Sequence, residues 1–229
     1  MTGKVAIVTG ANGGLGRHVT QAFLDAGATV LGVARNIEQS DFKSSSFTAL
    51  SVELATPAGA QKMADTITAR FGRLDVLAHT VGGFEGGQSI METRGTTFQR
   101  MLELNLNSTF YVLRAALPVM RKTRNGRIVA IGSRQAVEPG AQVGAYSASK
   151  AAMVSLIRTV ALENKDAGIT ANVILPGTID TPANRRNMPD AEVSKWVQPS
   201  AIASLICWLA SDAGKDVNGA MIPVYGNGL

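Results

Sequence analysis

The 229-residue sequence predicts a single α/β domain: a doubly wound parallel sheet of about seven strands with helices on both faces. Two observations lead to this prediction. Short apolar segments rich in β-branched residues alternate with longer segments of helical periodicity. The apolar segments also lack polar alternation, which is typical of parallel strands covered on both faces. No repeat, low-complexity tract or linker marks a second domain, so residues 1–229 are predicted to form one domain.

In the first half of the chain, "KVAIVT" is the first predicted strand, and Val19, Ala22 and Phe23 give the next segment helical spacing. The second strand is followed by a polar, non-periodic stretch over 35–46, which predicts a loop with at most one helical turn. Thr56 before Pro57 is typical of a helix N-terminus. The strands predicted here cover 4–9, 28–34, 47–54 and 74–79, and the helices cover 15–26 and 57–70.

The second half continues the alternation with two long helices and a shorter one. The helices are predicted over 97–122, 144–165 and 199–211, and the strands over 126–132, 169–176 and 220–225. The two long helices carry more apolar surface than one sheet face can cover, which indicates an oligomer.

Composition excludes several classes of protein. Low charge and 45% hydrophobic residues exclude a disordered chain, and the apolar runs are too short to span a bilayer. No leader pattern precedes the first strand, so a cytoplasmic protein is expected. The single cysteine, Cys207, excludes an intrachain disulfide and a multi-cysteine metal site. The net charge is +5, and the basic residues are scattered apart from the segment Arg121 to Arg127, which is interpreted as a solvated helix end. This distribution favours an anionic cofactor over nucleic acid.

The turn after the first strand carries the first chemical signal. In "TGANGGLG", Gly10, Gly14 and Gly16 have a G-x-x-x-G-x-G spacing between a strand and a helix. Glycines allow a tight turn, let a pyrophosphate approach the positive helix N-terminus, and let the helix pack against the sheet. The alternative is a glycine-rich turn without a ligand, but the strand–turn–helix context favours dinucleotide binding.

The second signal is "YSASK", where Tyr146 and Lys150 are four residues apart on one helix face. A phenol has a pKa of about 10, and a neighbouring ammonium group lowers it. Ser133 lies at the end of the fifth strand, at the sheet edge that the glycine turn also occupies. The three residues together predict a proton donor that works near neutral pH.

These motifs closely resemble the short-chain dehydrogenase/reductase family over essentially the whole chain, which implies a Rossmann-type fold. The family's helix asparagine matches Asn105, and its Pro-Gly turn matches Pro176 and Gly177. The resemblance implies cofactor contacts from Gly10, Asn12, Gly14, Leu15, Gly16, Arg35, Glu53, Leu54, Thr80, Val81, Gly82, Tyr146, Lys150, Pro176, Gly177, Ile179 and Thr181.

The resemblance also implies a division of catalytic roles. Tyr146 would donate a proton to the substrate oxygen as hydride arrives, while Lys150 would hold the nicotinamide ribose and lower the pKa of Tyr146. Ser133 would orient the carbonyl, and Asn105 would hold a water that relays protons through Lys150. Donors placed in advance at a developing oxyanion contribute roughly 3–4 kcal/mol each.

Two segments depart from the common family pattern. His79 and Thr80 stand where many members carry two asparagines, and His79 is expected to hydrogen-bond to backbone rather than to bind metal. "GGFEGG" and the segment after Pro176 resemble the quinonoid dihydropteridine reductase branch. The residues that carry this second resemblance, and a predicted substrate pocket of aromatic and lid side chains, are Phe84, Asn184, Met188 and Trp196, with Arg185 and Pro189 beside them.

The end of the second strand bears on cofactor choice. Ala34 neither accepts bonds from a ribose nor repels a phosphate, whereas Arg35 can grip a 2′-phosphate with two hydrogen bonds. NADP(H) is therefore favoured, with NAD(H) possible. Glu53 matches a family acid that touches the adenine, or is simply solvated.

Three functions stay open: an oxidoreductase acting on a small carbonyl or pterin-like substrate, a non-catalytic dinucleotide sensor, and a hydrolase. Intact Ser133, Tyr146 and Lys150 oppose the sensor. The hydrolase rests only on the S-x-x-K of Ser147 and Lys150, without its companion motifs. The family resemblance implies a homodimer or homotetramer in which the long helices pair across a two-fold axis.

Overall fold

The computed structural model describes residues 1–227 and has the predicted parallel sheet at its centre. All seven strands pair in parallel, in the order β3-β2-β1-β4-β5-β6-β7. The strands are β1 (Val5–Thr9), β2 (Thr29–Ala34), β3 (Phe47–Ser51), β4 (Val76–His79), β5 (Gly126–Ile131), β6 (Ile169–Pro176) and β7 (Met221–Val224). The predicted fold class is confirmed.

Helices cover both faces of this sheet, and most of them carry an apolar face toward it. They are α1 (Gly16–Asp25), α2 (Pro57–Phe71), α3 (Gly95–Leu102), α4 (Ser108–Thr123), α5 (Gly144–Asn164), α6 (Pro182–Asn187) and α7 (Pro199–Ala210). One core layer packs β-strand side chains against α2, α4 and α5, with Met63, Val112 and Ile157 fully buried. The other packs them against α1 and α7, with Phe23 and Ile206 fully buried.

Most element boundaries agree with the sequence-based prediction, and β3 is the clearest exception. It ends at Ser51 rather than at residue 54, because the chain turns toward α2 after the amide of Val52 bonds to the carbonyl of Ala34. The predicted cap of α2 is present, since the Thr56 hydroxyl accepts a hydrogen bond from the Gly59 amide at 3.1 Å. The loop after β2 contains the one expected helical turn, at Gln39–Asp41.

The first long helix is interrupted rather than continuous. Between α3 and α4, Glu103–Asn107 adopts the wider π-helical turn. Such turns are rare and often occur at functional sites. The short helix α6 was not predicted, because six residues that begin with a proline give too little periodicity to detect.

Arg127 corrects the interpretation of the basic segment at 121–127. It lies in β5 with only 7% of its surface exposed, and its guanidinium donates to the carbonyl of Gly126 at 2.9 Å. The segment is therefore not a continuous solvated helix end. Within residues 1–227, no helix is long and apolar enough to cross a membrane.

The strand order places the chemistry at one edge of the sheet. β1 has β2 on one side and β4 on the other, so the direction of winding reverses between β1 and β4. In open parallel sheets, ligands bind at such a switch point beyond the carboxyl ends of the strands. The predicted site residues lie in the loops and helices that follow β1, β2, β3, β4, β5 and β6 at this edge.

Candidate active site

The glycine turn after β1 is held tightly enough that side chains would not fit. Gly10 has a φ of +67°, which favours glycine, and its amide donates to the carbonyl of Val33 at 2.7 Å. A Cβ on Gly16 would collide with the carbonyl of Gly10, so the start of α1 packs directly on the turn. A Cβ on Gly14 would lie 2.8 Å from the Cβ of Thr181. Gly14 therefore faces the segment after β6 rather than the sheet, which corrects one predicted packing role.

The turn leaves backbone donors available beside the N-terminus of α1. Among the described residues, the amides of Gly14 and Leu15 have no hydrogen-bond partner. Leu15 anchors the turn through its buried side chain, which is 8% exposed. Free amides and a helix N-terminus together suit an anionic pyrophosphate, so the residues present fit a dinucleotide.

The loop after β2 is tied to the glycine turn by Asp41. The amide nitrogen of the Asn12 side chain donates to Asp41 at 3.2 Å and to the carbonyl of Asn36 at 2.6 Å. Arg17 of α1 forms an ion pair with Asp41 at 3.5 Å. The hydrogen bond from the Glu38 backbone is the largest influence that lowers the pKa of Asp41. Asn12 thus contacts this loop, and Asp41 was not singled out by the sequence.

Arg35 lies at the start of that loop with its side chain exposed. Within residues 1–227, its guanidinium makes no hydrogen bond or ion pair, while its carbonyl accepts a bond from the Ser51 hydroxyl. Its backbone is therefore held and its guanidinium is available for an anion. Glu53 is also exposed and accepts a bond from the Ala55 amide at 3.0 Å, while Leu54 is buried.

The end of β4 meets β1 through Thr80 and His79. The Thr80 hydroxyl donates to the carbonyl of Thr9 at 2.6 Å. His79 is 1% exposed, and its two ring nitrogens lie 2.9 Å from the Thr9 hydroxyl and 3.0 Å from the Thr109 hydroxyl. The expectation that His79 bonds to backbone is wrong, since both partners are side chains. Burial, with a smaller effect of Lys150, lowers the pKa of His79 to about 3.

Beyond Thr80, the chain runs against Asn105 and Lys150. Val81 is half-buried against the core. A Cβ on Gly82 would lie 2.8 Å from Oδ1 of Asn105 and 3.0 Å from Nζ of Lys150. Glycine is therefore the residue that lets this backbone approach both groups.

Asn105 lies in the π-helical turn, and its side chain binds both the amide and the carbonyl of Gly83. Its Oδ1 accepts from the Gly83 amide and its Nδ2 donates to the Gly83 carbonyl, each at 3.0 Å. The same Nδ2 lies 3.0 Å from the Ser149 hydroxyl, which donates to the carbonyl of Tyr146. Asn105 thereby connects the exit of β4 to the start of α5.

Ser133, Tyr146 and Lys150 come together between β5 and α5. Ser133 follows β5 and is 7% exposed. Nζ of Lys150 donates to the carbonyl of Ile131 at 2.9 Å, two residues before Ser133. Tyr146 is one turn before Lys150 on α5 and hydrogen-bonds with Ser133, so the three side chains share one region beyond the end of β5.

Burial changes the acidity of both titratable groups. It raises the pKa of Tyr146, and the hydrogen bond with Ser133 lowers that pKa in part. The predicted lowering of the Tyr146 pKa by Lys150 is therefore wrong for this structure, in which Lys150 contacts a carbonyl. Burial lowers the pKa of Lys150 to about 8. Its ammonium form therefore predominates at neutral pH.

The predicted substrate pocket is only partly assembled. The exposed ring of Phe84 packs edge-on against Tyr146, with centroids 4.9 Å apart. Trp196 is half-buried after Val193–Lys195, and within residues 1–227 no ring contact joins it to Phe84. Met188 is 38% exposed at the end of α6. The structure thus brings together Phe84 and Tyr146 but not the two aromatic walls.

The segment after β6 closes over the glycine turn. The Gly177 amide donates to the carbonyl of Val224 at 2.9 Å, directly after Pro176 at the end of β6. Ile179 pairs with Val197 in an isolated bridge. The Thr181 hydroxyl caps α6 by accepting from the amide of Asn184 at 3.2 Å. The Asn184 side chain donates to the Ile179 carbonyl at 2.8 Å, so its contact is to this segment itself.

The sequence interpretation missed Thr109 and Ser149, which hold His79 and Asn105. Their one signal is position: Thr109 is four residues after Asn105, and Ser149 is three after Tyr146, so each can bond back to a preceding carbonyl. Within residues 1–227, no three His, Cys, Asp or Glu side chains cluster as a metal site requires.

Comparison with known proteins identifies relatives along nearly the whole chain. Residues 4–192 match the sequence profile of the family described as short chain dehydrogenase. The 3-oxoacyl-[acyl-carrier-protein] reductase of Salmonella typhimurium is 32% identical, covering 98% of this chain and 96% of the relative. A rhamnolipids biosynthesis 3-oxoacyl-[acyl-carrier-protein] reductase of Pseudomonas aeruginosa is 30% identical, with 99% and 96% covered.

Solved structures also match the fold of nearly the whole chain. The Pseudomonas aeruginosa RhlG/NADP active-site complex superimposes with a TM-score of 0.91 at 28% identity, covering 100% of this chain and 96% of that one. The structure described as ElxO with NADP bound also gives a TM-score of 0.91, at 25% identity, covering 99% and 98%. NADP is bound in both of those structures.

Proposed function

The chain belongs to the short chain dehydrogenase family, and we propose from this premise that it is an NADP(H)-dependent reductase of a small carbonyl compound. One observation carries the proposal: buried Lys150 and the phenol of Tyr146 stand one helical turn apart beside Ser133, at the sheet edge that holds the glycine turn. This arrangement provides a proton donor and a cation beside a dinucleotide site.

The cofactor assignment rests on the groups that would touch it. The free amides of Gly14 and Leu15 suit the pyrophosphate, and the exposed guanidinium of Arg35 suits a 2′-phosphate. When bound, NADPH supplies the hydride. The NADP named in two structural relatives supports the same choice.

The chain's own residues would manage the proton. The Tyr146 hydroxyl donates its proton to the carbonyl oxygen of the substrate, which becomes an alcohol as its carbon accepts hydride. Ser133 donates a second hydrogen bond to the same oxygen and fixes its position. Lys150, one helical turn after Tyr146 and held on the carbonyl of Ile131, would hold the ribose of the bound nicotinamide.

The first substrate class to test is a 3-oxoacyl thioester, because relatives of 30% and 32% identity carry that activity in their names. A quinonoid dihydropterin is the second candidate. Phe84 favours it, because an exposed ring packed on the catalytic tyrosine offers a stacking surface for a flat heteroaromatic substrate.

A substrate panel tests this proposal directly. NADPH consumption is followed by absorbance with 3-oxoacyl thioesters, simple ketones, quinones and quinonoid dihydropterin. We expect turnover with at least one carbonyl or pterin substrate, and loss of that turnover in Lys150→Ala. Binding of NADPH without any turnover across the panel would favour the non-catalytic sensor instead.

A further inference from the structure

His79 occupies the centre of a hydrogen-bond chain whose direction is determined by its two ends. At one end the Thr80 amide donates to the Thr9 hydroxyl at 3.2 Å. At the other end the Thr109 hydroxyl donates to the carbonyl of Asn105 at 2.7 Å, because a carbonyl can only accept. His79 lies between the two hydroxyls.

These ends determine which ring nitrogen carries the proton. Since the single proton of Thr109 is directed to Asn105, this hydroxyl must accept from Nε2–H of His79. Nδ1 then accepts the proton of Thr9, whose oxygen already accepts from Thr80. A charged ring would donate from both nitrogens and so could not accept the Thr9 hydroxyl proton. Within residues 1–227 this proton has no other acceptor, so the ring is neutral.

The chain also closes a ring around the exit of β4. From His79 the backbone runs four residues to Gly83, whose amide and carbonyl both bond to the Asn105 side chain. The Asn105 carbonyl returns to His79 through Thr109. The side chain of Asn105 is thus connected to Gly83, and its main-chain carbonyl is connected to His79, in the same segment at the end of β4.

We propose that His79 is a positioning residue: as the neutral Nε2–H tautomer it holds Thr109 against the Asn105 carbonyl, and so keeps the Gly82–Gly83 backbone in place beside Lys150. This role rests on the proposed function, because Gly82 and Lys150 border the reacting groups. It explains why an imidazole suits this position: its two nitrogens span two hydroxyls on different elements, β1 and α4.

A matched pair of substitutions separates hydrogen bonding from packing at Thr109, which is fully buried. Thr109→Val keeps the shape and removes the hydroxyl, whereas Thr109→Ser keeps the hydroxyl and removes a methyl group. We expect Thr109→Val to lower kcat about 10-fold or more, with Thr109→Ser within about 3-fold of wild type. The Kd for NADPH should change less than about 3-fold in both variants.

A control variant tests whether loss of any such hydroxyl is enough. Thr68 of α2 donates to the carbonyl four residues earlier at 2.8 Å, as Thr109 does, but lies outside this ring of contacts. Thr68→Val should leave kcat unchanged. Equal kcat in Thr109→Val and wild type, or a larger loss in Thr109→Ser than in Thr109→Val, would overturn the positioning role.

Two readouts do not depend on turnover and so separate this proposal from the proposed function. Nitrogen NMR of wild-type His79, assigned with a His18→Gln variant, should give a protonated Nε2 and an unprotonated Nδ1. A protonated Nδ1 would overturn the proposal, even if Thr109→Val fails to fold. Hydrogen exchange at the Gly83 amide should become faster in Thr109→Val than in Thr109→Ser, and equal exchange would also overturn it.

Discussion

The ring of Phe84 meets the ring of Tyr146 edge-on, at an interplanar angle of 78°. Phe84 is 63% exposed, so much of its ring stays open to solvent. An aromatic ring at this position adds contact area for a flat substrate and none for a small aliphatic ketone. The pairing therefore has a direct consequence for substrate choice.

We expect Phe84→Ala to raise KM for a flat heteroaromatic substrate about 10-fold, while KM for a small aliphatic ketone changes less than about 3-fold. Steady-state kinetics with one substrate of each kind measure the difference. Equal changes in the two KM values would show that Phe84 supports the fold of the segment rather than the substrate.

Arg35 is expected to distinguish the two nicotinamide cofactors. A charge-assisted bidentate contact contributes about 1.5–3 kcal/mol, reduced by solvent at an exposed side chain. Arg35→Ala should weaken NADPH binding roughly 10- to 100-fold and leave NADH binding nearly unchanged. Ala34→Asp should shift preference toward NADH by adding ribose acceptors and repelling the phosphate.

Titration calorimetry with both cofactors tests this assignment, and Arg70→Ala, at another exposed arginine on α2, is the control. If the wild-type protein binds NADH as tightly as NADPH, Arg35 does not select the cofactor. The loop from 36 to 46 that Asp41 ties to Asn12 would then be the place to seek the ribose contact.

His79 gives a pH dependence of stability whose sign follows from its lowered pKa. An unfolded chain binds a proton at His79 below its ordinary pKa of 6.5, whereas the folded protein binds it only near its pKa of about 3. The stability that the neutral ring contributes is therefore present above pH 6.5 and lost as pH falls toward 3. The slope is up to about 1.4 kcal/mol per pH unit.

Denaturant unfolding at several pH values measures this slope. His79→Asn should unfold with a flatter dependence of stability on pH across that window than the wild-type protein. An unchanged slope in His79→Asn would mean that His79 is not buried in its neutral form.

Sequence periodicity was sufficient for the fold because strands buried on both faces have no polar positions to confuse the pattern. It was insufficient for the π-helical turn at Asn105, since one extra residue in a turn hardly alters apolar spacing. Sequence periodicity also could not predict the hydrogen-bond partners of His79, because Thr9 and Thr109 lie 70 and 30 residues away along the chain. The sequence predicted the same packing role for Gly14 and Gly16. It could not show that Gly14 faces Thr181 instead, because Thr181 lies in a distant segment of the chain.

The exposed apolar residues on the long helices lead to a prediction about assembly. Phe110 of α4 is 44% exposed and Leu162 of α5 is 73% exposed. Pairing of these helices across a two-fold axis would cover both. Light scattering at micromolar concentration should give two or four times the 23.9 kDa mass of the chain. A monomer mass would count against the predicted assembly.

The central claim is that Tyr146 supplies the proton for carbonyl reduction, and Tyr146→Phe tests it most directly. This change removes one oxygen and leaves Lys150, Asn105 and the glycine turn in place. With the substrate that the panel identifies, kcat/KM should fall by well over about 10-fold, while the Kd for NADPH stays within about 3-fold of wild type. Retention of more than about a tenth of wild-type kcat/KM, a barrier change below about 1.4 kcal/mol, would contradict the account.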